Sequence, residues 1–146
     1  MSLRFLIYEP DEHIGVLYEL LKKRKYIISH QNTTTKIEHR NFCLNHPYRY
    51  WYLIYNEDDP IGAFYITYEN CIAINLILDN KDFFDQALDY IFLNFKPLPE
   101  VPSIKPPHFF CNVHPSNEKY IESVSANGGE LVQFSYAFKD KNDTSR

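Results

Sequence analysis

At 146 residues with 45% apolar composition, the chain is one domain's worth of sequence with enough apolar surface for a real core, which excludes a disordered protein. Its formal net charge of −4 leaves no electrostatic footprint for nucleic acid. No stretch has the apolar length of a membrane span, the first residues lack a signal-peptide pattern, and the three cysteines are odd in number and widely spaced. Together these predict a cytoplasmic protein without a disulfide framework or a membrane partner.

Phe5 to Tyr8 reads as a short first strand. Pro10 opens a helix to about Lys25, with Asp11 and Glu12 in its first turn and Ile14, Leu17, Tyr18 and Leu21 as its core stripe. The only basic run, Lys22-Lys23-Arg24-Lys25, falls at that helix's end, where cations complement the dipole. Tyr26 to Thr33 is a polar loop, and a second helix runs from about Thr35 to Leu44 until Pro47 stops it.

The middle of the chain is a meander of three strands, Tyr50–Tyr55, Ile61–Tyr68 and Cys71–Leu78, joined by the turns 56–60 and Glu69-Asn70. The third strand is nearly all apolar, which predicts burial on both faces. Asn75 is its only polar side chain and reads first as a core amide paired with a neighbouring backbone group, with a polar group facing a cleft as the other reading. Asp82 to Phe95 forms a helix with a wide apolar face that includes Phe83, Phe84, Ile91, Phe92 and Phe95. Five of the nine prolines then fall between Lys96 and Pro107, an ordered surface crossover. His108 to Val113 is a strand, Pro115 suits the first turn of a helix ending at Asn127-Gly128-Gly129, and Leu131 to Phe138 is a last strand. One domain, residues 1–139, and a polar tail, 140–146, complete the chain. The element order is β-α-α-β-β-β-α-β-α-β, an α/β (α+β) domain with a mixed, mostly antiparallel sheet flanked by helices.

The run from Asn117 to Gly129, N-E-x-x-I-x-x-V-x-x-N-G-G, resembles the asparagine-started fourth helix of the GNAT acyltransferase superfamily. The element order extends the likeness to most of the chain, and Gly62 resembles the glycine that opens the third GNAT strand. The resemblance implies a GNAT-like sheet and transfer of an acetyl group from acetyl-CoA, the donor substrate, to an amine of a small molecule or protein. It implies a cofactor site along Leu76 and Leu78, through Lys81, Phe83 and Phe84 of the following turn, with Asn112 and Asn117 beyond. It also implies two strands after the fourth helix. Only one is visible, which leaves the C-terminal sheet edge open or filled by a partner chain, a homodimer contact.

Two departures stand out. GNAT enzymes hold the pyrophosphate on a Q/R-x-x-G-x-G/A turn at a helix N-terminus. Here the turn is Leu78-Asp79-Asn80-Lys81-Asp82-Phe83-Phe84-Asp85, with no glycine, three aspartates and Lys81 as its one cation. The family's acid, a tyrosine seven residues after the helix asparagine, is replaced by Val124. Tyr120, one turn earlier, is the substitute candidate. His114, at the strand–helix junction, is the candidate base. Without those two family features, a GNAT-fold binding or regulatory module that no longer uses acetyl-CoA is the alternative. Cys43-x-x-His46 and Cys111-x-x-His114 are the material for a zinc site, but residues three apart on a strand face opposite ways and no metal is expected.

Overall fold

In a computed structural model of the protein, residues 2–24 and 34–140 are described. The predicted loop Tyr26–Thr33, the Lys25 end of the first helix and most of the polar tail lie outside them. The elements are β1 (Arg4–Ile7), α1 (Pro10–Lys22), α2 (Lys36–Leu44), β2 (Tyr48–Asn56), β3 (Asp59–Thr67), β4 (Cys71–Leu76), α3 (Lys81–Asn94), β5 (Phe110–Cys111) and α4 (Glu118–Ala126). The strands lie in the order β1-β2-β3-β4-β5. All pairs are antiparallel except the last, β4 with β5.

Strand alternation divides the core between the two sheet faces. Ile54, Phe64, Ile66, Ile72, Ile74 and Leu76 face α3, which offers Phe83, Phe84, Leu88 and Ile91, and Tyr120 of α4 joins them. Trp51, Leu53 and Ala63 face the other way, onto Leu17 and Leu20 of α1 and Cys43 of α2. The buried positions of α1 are therefore His13, Leu17 and Leu20; the predicted stripe is rotated, and Ile14 and Tyr18 are only half-buried. Phe92 likewise points outward from α3.

Two residues fix the β3–β4 region. Gly62 pairs with Leu76, and a Cβ there would stand 2.1 Å from the Asn75 carbonyl oxygen, so only glycine lets the strands approach this closely. Asn70, in the left-handed region at φ 74°, is fully buried. Its side-chain amide donates to the carbonyls of Leu98 and Pro106, and its Oδ1 accepts the Leu98 N–H. Its own carbonyl accepts the Phe110 N–H. One turn asparagine thus pins both ends of the proline-rich crossover and the start of β5.

Expectations for β4, the fourth helix, the fifth strand and the last segment also need correction, and β5 spans only Phe110–Cys111 of the predicted His108–Val113. β4 is not buried on both faces: Ile72, Ile74 and Leu76 are buried, whereas Cys71, Ala73 and Asn75 are half-buried, because α1 and α2 do not cover that face of β4. Asn75 is accordingly no core amide. The fourth helix starts at Glu118, with the Asn117 side chain as cap, and Pro115 sits in the turn before it. The predicted strand Leu131–Phe138 pairs with nothing among the described residues: 131–138 are exposed and carry no strand hydrogen bonding there.

Candidate active site

β4 and β5 run together for two register pairs, Cys71 with Phe110 and Ile72 with Cys111. They then part. The chain leaves β5 at Asn112 and turns through Pro115 and Ser116 into α4. From Ala73 to Leu76, β4 is paired with β3 on one side and, among the described residues, with no strand on the other. This wedge is bordered by the half-buried face of β4, with Asn75 on it.

α4 closes the wedge from the side of α3. Asn117 caps it, its Oδ1 accepting the Tyr120 N–H at 3.4 Å. This places Tyr120, 2% exposed, in a stack on Phe84 with ring centroids 4.6 Å apart. The Tyr120 hydroxyl is buried and has no well-formed hydrogen bond among the described residues. The Cys111 thiol and the Ile74 backbone lie near it, so it sits between the strands where they part. Burial drives its pKa far above the ordinary tyrosine value, which keeps it a neutral hydroxyl that can donate a hydrogen bond. Burial likewise pushes the Cys71 thiol up to about 11 and raises Cys111. Neither is a ready thiolate nucleophile.

The turn before α3 is closed by its own side chains. Asn80 caps the helix, accepting the Phe83 N–H. Lys81 pairs with Asp85 at 2.8 Å, and Asp85 also accepts from Ser123 of α4 and from Asn127, which caps its end. Those contacts, led by Lys81 and Ser123, hold the Asp85 carboxyl below its usual range. Asp85 therefore ties Lys81 and α3 to α4, and Phe83 and Phe84 turn their rings into the core. Leu76 is buried at the end of β4 and Leu78 is exposed. Asn112 is exposed on the far lip of the wedge, its amide 3.8 Å from the Cys71 sulfur. His114 is half-buried, and its Nδ1 accepts the Ser116 N–H at 3.1 Å. Tyr120 thus reaches between the strands with Asn117 capping its helix, Asn112 follows β5 where the strands part, Leu76 ends β4 in the core on the α3 side, and Lys81, Phe83 and Phe84 belong to the first turn of α3. His114 is committed to the turn between β5 and α4.

One group was not visible in the sequence. Tyr48 of β2 and Tyr65 of β3 stack at 3.7 Å with their planes 7° apart, on the face that carries Ala73. Arg24, just past α1, lies close to them: burial lowers its pKa, and the two tyrosines oppose that. Its Nε is buried and has no hydrogen-bond partner among the described residues. Among those residues no carboxylate pairs with it either. The basic run suggested a dipole role, and only the fold brings the two tyrosines to this arginine.

Cys43 lies against His39, with Sγ 3.3 Å from Nε2. Among the described residues no three His, Cys, Asp or Glu side chains converge as metal ligands, and no helix is long and apolar enough to cross a membrane.

No protein-family model and no curated protein matches the sequence. Solved structures do. An acetyltransferase from Thermus thermophilus is similar with TM-score 0.62 at 13% identity, over 88% of this chain and 86% of that one. A possible acetyltransferase from Clostridium difficile 630 is similar with TM-score 0.52 at 12% identity, over 96% and 99% of the two chains. The likeness is one of fold.

Proposed function

Because the chain has a GNAT-like fold, divergent in its pyrophosphate turn, we propose that it is an N-acyltransferase that moves an acetyl group from acetyl-CoA to an amine. The observation that carries this reading is the wedge between β4 and β5, with the buried Tyr120 hydroxyl between its strands. The donor's arm lies along Ala73–Leu76, whose backbone has no strand partner on that side among the described residues. It runs on past Leu78 to the N–H groups opening α3. There the pyrophosphate takes the place of the Asn80 side chain on the Phe83 N–H. The amine nitrogen bonds to the thioester carbon, the C–S bond breaks, and the leaving sulfur takes its proton from Tyr120. The proton released by the amine returns to the buried Tyr120 oxygen, which closes the cycle. The Nδ1 lone pair of His114 is already engaged by Ser116, so His114 orients the turn that carries Asn117.

Tyr120→Phe separates this role from a packing role. It is expected to slow thiol release from acetyl-CoA, measured over an amine panel, by about 10²-fold or more. Stability should hold or rise, since the variant removes a buried hydroxyl that lacks a good partner. Unchanged turnover in the folded variant would remove Tyr120 from the mechanism.

Arg24 gives the acceptor a chemical class. A half-buried arginine with a buried Nε and without a carboxylate partner among the described residues, beside Tyr48 and Tyr65, suits an amine that also bears a carboxylate or phosphate. Arg24→Met is expected to raise KM for such acceptors by about tenfold or more while leaving uncharged amines unaffected. Equal effects on both would contradict this placement. The protein acts as a homodimer assembled through its C-terminal sheet edge.

A second reading has its own support. The Asn80 cap and the Lys81–Asp85 pair already occupy the α3 terminus. A GNAT-fold binding or regulatory module that does not use acetyl-CoA would have this arrangement, and would release no thiol with any amine.

A further inference from the structure

We propose that residues 131–138 are a β-strand exchanged between two copies of this chain, each copy's segment adding to the outer edge of the other's β5. This rests on the dimer just proposed and specifies the segment, the receiving edge and the symmetry. It stands or falls independently of catalysis.

The segment is built as a strand. Val132, Phe134, Tyr136 and Phe138 alternate with Gln133, Ser135 and Ala137, the period of a chain that presents one apolar face. Yet Leu131, Val132, Phe134 and Tyr136 are each 73–78% exposed and Phe138 is 95% exposed. Five large apolar side chains in one short run are not left in water by a stable monomer; such a run marks an interface. An unpaired strand also leaves its backbone groups without ladder partners.

The same molecule has the complementary vacancy. β5 is the last strand of the sheet, and its outer edge is unpaired among the described residues. Beside it Phe109 and Phe92 pack ring to ring, 6.4 Å between centroids, with Phe92 45% exposed. The partner's apolar side chains have a surface to meet there.

The helix end explains why the occupant is a second copy. The Gly129 N–H bonds the Val124 carbonyl at 2.8 Å, and Gly128 takes φ 89°. A Cβ on Gly129 would stand 2.4 Å from Val124 Cγ1. This tight cap sets the direction in which the chain leaves α4, and along that direction the segment stays exposed rather than packing on its own domain. A chain with both a free strand and a free edge is self-complementary. Reciprocal exchange between two copies fills both edges and closes as a two-fold dimer, whereas one-way addition would build an open filament. Eight residues at about 3.3 Å each give a strand of roughly 26 Å, ample to span β5 and its flanks.

The test is the solution mass of the full chain by light scattering, with Phe134→Asp, and Gln133→Lys as a control on the opposite side of the strand. The segment is exposed within its own chain, so neither substitution disturbs the monomer's core; far-UV circular dichroism checks this. The expected result is a dimer for the native chain and Gln133→Lys, and a monomer for folded Phe134→Asp. In the dimer, hydrogen exchange at residues 131–138 is slowed at least tenfold relative to the Phe134→Asp monomer. A native chain that is monomeric, or a dimer that survives Phe134→Asp with unprotected residues 131–138, would overturn the proposal.

Discussion

Replacing Asn70 with alanine is expected to cost about 3–5 kcal/mol of stability, a large share of the roughly 5–15 kcal/mol that holds a domain of this size. Three hydrogen bonds disappear at once, from Asn70 to the Leu98 carbonyl, the Pro106 carbonyl and the Leu98 N–H. Each leaves a part-buried backbone group without its partner, at about 1–3 kcal/mol apiece where no water reaches it. Alanine also tolerates the φ of 74° less well than asparagine, by about 1 kcal/mol. Asn70→Asp separates these contributions. It keeps the acceptor for the Leu98 N–H and suits the backbone, but it loses both donated bonds and sets a buried carboxylate against the Leu98 and Pro106 carbonyls, so at neutral pH its cost is at least that of alanine. Chemical denaturation of the three proteins gives the ranking. Alanine and aspartate variants of equal, small effect would contradict it. The consequence for the site is direct. The crossover loosens at both ends, and β5, whose Phe110 N–H bonds the Asn70 carbonyl, loses its anchor beside β4.

Gly62→Ala has the second large effect, about 3 kcal/mol or more of destabilisation. The new Cβ would meet the Asn75 carbonyl oxygen at 2.1 Å and Leu76 Cδ2 at 2.8 Å. The first neighbour is backbone, so β3 and β4 must separate at the end of the strand that borders the wedge. Gly15→Ala is the matched control. It lies within α1 with nothing within 4 Å of a new Cβ, and there alanine stabilises by about 0.5–1 kcal/mol. Opposite signs for the two substitutions are the predicted outcome. A Gly62→Ala variant as stable as native would mean that the strands are not held this closely.

How far the sequence reaches follows from where its information is stored. The helices and the meander are written locally, in apolar periodicity and turn residues, and their order matches. Pro115 and Asn117 are both helix-start signals, and the capping side chain of Asn117 prevails, so α4 begins three residues past the proline. The alternation of β4 is hidden because both of its faces are apolar in sequence, and only the layout of α1 and α2 leaves one open. β5 shrinks from a predicted six residues to two, since Asn112 and the turn at Pro115 draw the chain away from β4. Residues 131–138 have a strand's alternation, yet nothing among the described residues pairs with them. At the site, Tyr120 and Asn117 are legible through the spacing of the α4 run. Asn70 is legible as a turn, whereas its partners lie 28 and 36 residues away. The pairing of Lys81 with Asp85 is an i,i+4 contact that the sequence does contain. It explains why the turn's one cation is engaged within the fold.

The proposed acyltransferase role requires that the wedge and the glycine-free turn still hold acetyl-CoA. Thermal unfolding of the full chain with and without millimolar acetyl-CoA tests it most directly. A ligand that binds only the folded state, at about 100 times its Kd, stabilises by roughly 2.7 kcal/mol. The expected result is a clear upward shift of Tm that grows with acetyl-CoA concentration. An unchanged Tm at millimolar acetyl-CoA would contradict the acyltransferase reading and leave the binding module.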